Sequence, residues 1–212
     1  MKTILVTGAA GFLGRNLCVA LRRQAAFEVL EFDLPQTVDD LSPLAARADL
    51  VFHLAGVNRP REEAEFMTGN ADLTRRLCAD LEAGARRPVL ILSSSIQAER
   101  DNPYGRSKKA AEEEAIAYQQ RTGAPVGIYR FPNVFGKWSR PNYNTVVATF
   151  CHHVSRGLPV QSSDRANVVR FVYIDDVVRA FVALANRTEW PATVLRPEVQ
   201  PVFAITLGEL HD

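Results

Sequence analysis

The chain opens MKTILVTGAAGFLG, and no other stretch restricts its fold as much. Lys2 to Val6 is a short apolar run with strand character. Gly8, Gly11 and Gly14 follow at intervals of three, and Phe12 to Leu21 has helical spacing. A strand that enters a helix through a glycine-rich turn leaves backbone N–H groups uncovered at the positive end of the helix dipole, which is what a pyrophosphate requires. Gly8 and Gly11 permit the turn and a close approach, Phe12 and Leu13 start the helix beside the phosphates, and Gly14 lets the helix lie on the sheet. The predicted fold is α/β: a Rossmann-type doubly wound parallel sheet with helices on both faces and a small substrate lobe.

A second strand, Glu28 to Phe32, ends at Asp33, nineteen residues beyond Gly14. A carboxylate there accepts from both adenosine ribose hydroxyls and favours NAD over NADP, unless it only caps the turn at Leu34-Pro35. Arg15 points the other way, because a cation just after the glycine loop can reach a 2′-phosphate. A short helix is expected around Leu44 to Ala48. Asp49 to Gly56 then reads as a third strand, apolar enough to be buried on both faces. His53 inside it is expected to be packed and hydrogen-bonded rather than catalytic, while Leu54, Ala55 and Gly56 leave room for a cofactor to pass. Arg59, in the loop that follows, is either a ligand for an anionic substrate group or a solvated loop residue.

Asn70 to Ala83 is a predicted amphipathic helix with Leu73, Leu77 and Leu81 inward and Gly84 as its stop. Pro88 to Leu92 is the fourth strand, and Ser93-Ser94-Ser95 puts hydroxyls at the same sheet edge as the glycine loop. Asp101-Asn102-Pro103 starts a helix from Tyr104 to about Arg121, on which Tyr104 and Lys108 are four residues apart and share a face. A neighbouring ammonium favours the phenolate and brings a tyrosine closer to working pH as an acid or base. Ser95, ahead of Ser94, supplies a third hydrogen-bonding group.

Composition narrows the partners. With 212 residues, 47% hydrophobic and 23% charged, the chain has length for one core plus a small lobe. The formal charge of +1 comes from interspersed acids and bases, which gives neither a nucleic-acid stripe nor a membrane-binding basic segment. The first apolar run meets glycine too soon for a signal peptide, so a cytoplasmic location is expected. Cys18, Cys78 and Cys151 are read as reduced packing residues, and no metal site is expected.

Taken in order, TGAAGFLG, Asp33, HLAG, SSS, YGRSK and RFPNVFG resemble the extended short-chain dehydrogenase/reductase family that works on nucleotide-activated sugars. The strings HLAGVNRP, SSSIQA, DNPYGRSK and FGKWSRPNYN are similar to those of bacterial capsular-polysaccharide reductases of the CapF type. The resemblance implies NADPH-dependent reduction at C4 of a UDP-4-keto-6-deoxy-N-acetylhexosamine, on the route to UDP-N-acetyl-L-fucosamine. It casts Ser95, Tyr104 and Lys108 as catalytic residues, with Lys108 also holding the nicotinamide ribose, and sets Pro132 and Asn133 beside the nicotinamide and the sugar nucleotide. The expected partners are a UDP-sugar and a second copy of the chain in a homodimer. Asp33-Leu34 departs from the basic residue the family tends to carry there, so Asp33 favours NADH where the family implies NADPH. A same-family epimerase or dehydratase is the alternative enzyme. A non-catalytic dinucleotide-sensing regulator is the alternative of another class.

The fifth strand is expected over Val126 to Tyr129. Asn133 offers a donor and an acceptor to a hydroxylated ligand, or else satisfies its own turn. Lys137 to Asn144 mixes cations, amides and aromatics, and makes Lys137, Asn142 and Asn144 candidates for the substrate mouth. Asn144 is expected to cap a helix to about Arg156 with Val147, Phe150, Cys151 and Val154 inward, and His152 and His153 at the surface or an interface. Val168 to Ile174 reads as a strand, with Asp175-Asp176 capping a helix that turns Val178, Phe181, Val182 and Ala185 inward. Arg165 is a weak substrate candidate, and Arg170 lies one residue out of the family's register. The expected division is a dinucleotide-binding core over 1–136 and a substrate lobe over 137–212 that returns to the core at about 165–185. Val202 to Ile205 followed by a Thr206–Glu209 capping box reads as the start of a further helix. The chain is therefore expected to be a fragment that stops before the end of its lobe and before a C-terminal cupin domain.

Overall fold

The computed structural model describes residues 1–143, 145–162 and 164–212. Its main sheet is wholly parallel and contains β1 (Lys2–Thr7), β2 (Phe27–Phe32), β3 (Leu50–His53), β4 (Val89–Ser95), β5 (Val126–Phe131) and β8 (Val194–Leu195). The spatial order is β2-β1-β3-β4-β5-β8. From β1 the chain first moves out to β2, then returns across β1 to β3, so crossovers leave β1 on both sides and a crevice opens at its C-terminal end.

Alternation along the strands supplies both faces. Ile4, Val6, Phe52 and Ile91 pack with Leu17 and Leu21 of α1 (Phe12–Arg22) and Phe181 of α7 (Ile174–Asn186). Leu5, Val51, Leu90 and Leu92 turn the other way, against α2 (Leu41–Ala45), α4 (Leu73–Ala83) and α5 (Pro103–Thr122). Each large apolar side chain buried this way contributes about 1.5–3 kcal/mol before the entropy of ordering it is counted.

Local signals fix α5, which positions the site. The Asn102 side chain accepts from the Gly105 N–H at 2.8 Å, Pro103 occupies the first turn, and Gly123 ends the helix at φ +71°. Tyr104 is thereby held in the first turn and Lys108 one turn further on.

A second, smaller sheet carries β6 (Asn133–Phe135) parallel to β7 (Val168–Tyr173), with β9 (Phe203–Thr206) antiparallel on the far side of β7. Helices α6 (Val146–Val154) and α8 (Leu207–His211) accompany it. The Thr206–Glu209 capping box forms as read: Glu209 N–H donates to the threonine hydroxyl at 3.1 Å, and the glutamate accepts from the Thr206 N–H at 2.9 Å.

Several expectations are corrected. The helix read at Leu44 to Ala48 lies earlier, as a 3-10 turn over Val38–Asp40 leading into α2, because Thr37 and Asp40 form a capping box of their own. The helix read from Asn70 starts at α3 (Ala64–Phe66) and passes through a widened π-helical turn, Met67–Asp72, before α4. β4 and β5 run on through Ser95 and Phe131, since the serines pair directly with Tyr129, Arg130 and Phe131. In α7 the buried valine is Val177 rather than Val178, and the helix begins at Ile174 with Asp175 and Asp176 inside its first turn. On α6 only Phe150 is buried, whereas Cys151 and Val154 are exposed. Cys18 and Cys78 are packed as read, and burial pushes both thiols up to about 12.

Candidate active site

The ends of β1, β3, β4 and β5 meet at one edge of the main sheet, where the glycine turn closes beneath α1. Gly8 adopts φ +70°, and a Cβ there would lie 2.6 Å from the Ala55 nitrogen, so only glycine lets the turn pass this close to the loop after β3. At Gly14 a Cβ would stand 2.1 Å from the Gly8 carbonyl oxygen, so the helix docks on the turn only without one. Helix α1 is capped by Gly11, which offers no side chain to the first-turn N–H groups, and that turn contains no acidic residue. The positive helix end thus has no anion of its own, and the pyrophosphate of a dinucleotide fits it. Phe12 and Leu13 in the same turn line the adjoining cleft, which encloses about 350 Å³.

Asp33 sits against this cradle. One carboxylate oxygen accepts from the Ala10 N–H at 2.7 Å and the other from the Leu34 N–H at 2.8 Å, so the residue both meets the glycine turn and caps its own. Arg15 is turned elsewhere, with its guanidinium 5.3 Å from the centre of the Trp138 ring.

Ser95 and Tyr104 line the cleft together, while Lys108 is buried behind them and donates to the Ser93 carbonyl at 2.7 Å. The Ser95 hydroxyl accepts from the Gln97 N–H at 3.2 Å, and the Tyr104 ring packs on Phe66 with centroids 5.6 Å apart. Burial lowers Lys108 to about 8 against an opposing pull from Glu112. The expected effect of Lys108 on the phenol is corrected: burial raises Tyr104 above its ordinary value, and the smaller downward pull comes from Ser95. The ammonium is committed to the Ser93 carbonyl, and Tyr104 keeps its proton. Ser94 also lines the cleft, with its hydroxyl donating to Glu112 at 2.6 Å.

At the end of β3, Leu54, Ala55 and Gly56 pass close to the site, with the Ala55 N–H donating to the Thr7 hydroxyl at 3.3 Å. His53 is packed as read, held by Thr7 at 2.6 Å and Thr74 at 2.9 Å, and lowered to about 3 by burial and by Lys108. Asn70 ties this region to α5, bonding both backbone groups of Val57 and the buried Ser107 hydroxyl, each at 3.0 Å.

The substrate candidates divide. Arg59, Pro132 and Asn133 line the cleft; Arg59 lies 6.0 Å from the Tyr143 ring, and Asn133 donates to the Arg170 carbonyl at 3.3 Å. Lys137 is not among the residues lining the cleft and pairs with Asp175. Exposed Asn142 takes φ +55°, and its N–H donates to Thr149 at 2.9 Å. Arg165 stands apart, gripped by both carboxylate oxygens of Asp212 at 2.7 Å. Arg170 borders a smaller neighbouring pocket, and Asn144 lies outside the described residues. Gln97, within the SSSIQA string, and Arg100, just beyond it, also line the cleft. The sequence reading also missed Glu112, although it repeats the four-residue spacing of Tyr104 and Lys108, and Arg130, a cation inside an otherwise apolar strand.

Residues 4–194 match the NAD dependent epimerase/dehydratase family. The chain belongs to that family. Among its members, the UDP-2-acetamido-2,6-beta-L-arabino-hexul-4-ose reductase of Pseudomonas aeruginosa is 48% identical over 209 residues, which span 99% of this chain and 56% of the relative. The crystal structure of the capsular polysaccharide assembling protein CapF from Staphylococcus aureus superposes with a TM-score of 0.84 and 37% identity, again over 99% of this chain and 56% of that one. The chain therefore spans little more than half the length of these two relatives. MoeE5 in complex with UDP-glucuronic acid and NAD matches with a TM-score of 0.84 and 25% identity, covering 99% of this chain and 80% of that one. Among the described residues, no helix is long and apolar enough to cross a membrane, and no group of three or more His, Cys, Asp or Glu gathers as metal ligands would.

Proposed function

We propose that this protein uses a reduced nicotinamide dinucleotide to reduce the C4 ketone of a UDP-4-keto-6-deoxy-N-acetylhexosamine, in the cytoplasmic supply of capsular polysaccharide or O-antigen precursors. The observation that carries the reading is the shared cleft of Ser95 and Tyr104, with buried Lys108 behind them and, beside them, the start of α1 with no capping side chain. The 48% identical reductase supports the choice of reaction.

When bound, the cofactor supplies the hydride to the carbonyl carbon. Negative charge then develops on the ketone oxygen, and the chain's residues act on that oxygen. Tyr104, still protonated at working pH, gives it a proton, while the Ser95 hydroxyl donates a hydrogen bond to it. The Lys108 ammonium, which donates to the Ser93 carbonyl behind the phenol, would as the resemblance implies hold the nicotinamide ribose. Phe66 and the walls of the cleft keep the phenol largely out of water. Arg59 and Arg100 offer cations to the diphosphate, and Pro132 and Asn133 border the sugar.

On cofactor choice, Asp33 supports NADH. Its carboxylate already faces the glycine turn and would repel a 2′-phosphate, while Arg15, the cation that would attract one, is stacked on Trp138. Mixing the protein with NADH or NADPH and a panel of UDP-keto sugars, and following loss of the reduced nicotinamide absorbance, tests the proposal. Turnover of a 4-keto-6-deoxy sugar is expected; interconversion of C4 epimers without net oxidation of cofactor would replace this reading with the epimerase one.

A further inference from the structure

Behind the cleft lies a buried charge that the proposed chemistry does not use. Glu112 is 2% exposed, on the same face of α5 as Tyr104 and Lys108 and one turn beyond the lysine. One of its oxygens accepts from Ser94 at 2.6 Å and from the Arg130 Nε at 2.8 Å. The other accepts from the Arg130 Nη2 at 2.7 Å and from Arg196 at 3.0 Å. Burial alone would raise this carboxyl, but the donors from Arg130, Ser94 and Arg196 outweigh it and the group is held below its ordinary value. Glu112 is therefore ionised inside the protein.

Stability does not explain such a group, since a buried ion pair is generally no better than apolar side chains of the same volume. Its location does. Ser94 immediately precedes Ser95, and Arg130 lies two residues before Pro132, so one carboxylate clamps α5 to the two strand ends that carry the hydroxyl and the proline of the cleft. Arg196, just after β8, ties a third segment to the same point.

We propose that Glu112 is a positioning residue of the site: its carboxylate fixes the Tyr104–Lys108 face of α5 against the ends of β4 and β5, and its charge keeps Lys108 an ammonium. The catalytic half of this inference rests on the proposed reductase reading, whereas the charge coupling does not. Around Lys108, α5 presents Glu112 and Tyr104, β4 presents the Ser93 carbonyl, and β3 presents His53, which is neutral at working pH. Glu112 is thus the charge that offsets the cost of burying the ammonium. Around Glu112 itself stand Arg130, Arg196 and, through Arg130, Glu99.

The test follows Lys108 directly, by lysine 15N NMR titration of the full chain, alongside the pH profile of turnover. Glu112→Gln is expected to lower the Lys108 midpoint by about one unit and to move the alkaline limb of turnover down with it. Arg196→Gln removes a half-exposed cation that partly neutralises Glu112, so it is expected to leave the fold intact and to move the midpoint in the opposite direction, upward. Because the Arg196 arm is peripheral, it decides the matter if Glu112→Gln fails to fold. A midpoint unmoved by the Arg196 change, or a Glu112→Gln protein that loses only melting temperature, would reduce Glu112 to a structural residue and overturn the inference. If the unmodified protein turns over no keto sugar, the reductase reading fails while the NMR midpoints still judge the coupling.

Discussion

At the edge of the six-stranded sheet, polar side chains are buried and bonded to one another; around the three-stranded sheet several charged side chains pair at the surface. His53, Asn70, Ser107, Lys108 and Glu112 are each less than a tenth exposed, and each has a named partner. In the small lobe, Lys137 with Asp175 and Arg165 with Asp212 are solvent-exposed ion pairs, while Val154, Val168 and Phe203 show apolar surface. Buried networks have few alternative arrangements, because an unsatisfied group in the interior is expensive, whereas exposed pairs are screened and cheap to rearrange. The contrast assigns the two regions different work. On the proposed reading, the large sheet would hold the reacting groups in fixed geometry, and the small lobe would be free to vary in what it recognises.

Replacing Tyr104 with Phe tests the first half most severely. The ring and its packing on Phe66 remain, so cofactor affinity is expected to stay nearly unchanged. Turnover is expected to fall by about two to four orders of magnitude, the usual worth of a positioned proton donor. The matching change in the lobe, Lys137→Ala, is expected to act on KM rather than kcat. Near-normal turnover in the Tyr104 variant would remove the phenol from the mechanism, and a kcat effect at Lys137 would erase the division between the regions.

Acid unfolding probes the same buried network. His53 titrates at about 3 in the folded protein and near 6.5 when unfolded, so between these values the unfolded chain binds a proton that the native one refuses. Its contribution is fully present above pH 6.5 and is lost as pH falls toward 3, on the order of 5 kcal/mol in all. Denaturant titrations at stepped pH should show this slope, and His53→Gln should flatten it. An unchanged slope in that variant would mean that other groups carry the acid sensitivity.

How far the sequence revealed these features depends on the range of the signal. The glycine turn, the Asn102-Pro103 start of α5, the Tyr104–Lys108 spacing and the Thr206–Glu209 box are local, fixed by a few neighbouring residues, and each appears where the sequence places it. The wrong expectations needed distant partners. Ser94 looks like a free hydroxyl until Glu112, eighteen residues away, accepts its hydrogen bond. Tyr104 looks acidic beside a lysine until the fold buries the ring and gives the ammonium to Ser93. Cys151 and Val154 follow an inward helical pattern yet are exposed, because tertiary packing decides which face of α6 is covered. The π-helical turn at Met67–Asp72 carries no sequence mark that periodicity detects.

Asp33 lies just after β2 beside the glycine turn, and its effect should be smaller. Asp33→Ala removes the repulsion toward a 2′-phosphate together with the bond to the Ala10 N–H. The ratio of NADPH to NADH affinity is expected to rise about tenfold, with some loss of NADH affinity. Strong NADPH preference in the unmodified protein, measured by fluorescence titration, would show that Arg15 leaves Trp138 to serve the phosphate.

The smallest effect is expected in the lobe's apolar surface. Val154 is 68% exposed on α6 and Phe203 is 49% exposed on β9, so each has little buried area to lose. Replacing either with serine should change stability by no more than about 0.5 kcal/mol, which for a chain of this length moves the melting temperature by roughly 2 °C or less. The same change at a residue of the main core would remove packed area and leave a void, which is the loss the two-region contrast attributes to the large sheet alone. The measurement is therefore most informative across protein concentrations. A small shift, the same at every concentration, fits a lobe whose surface faces solvent. A loss of several degrees that deepens on dilution would mean that a second copy of the chain covers these side chains in solution, and that the lobe is as firmly held as the sheet once the assembly forms.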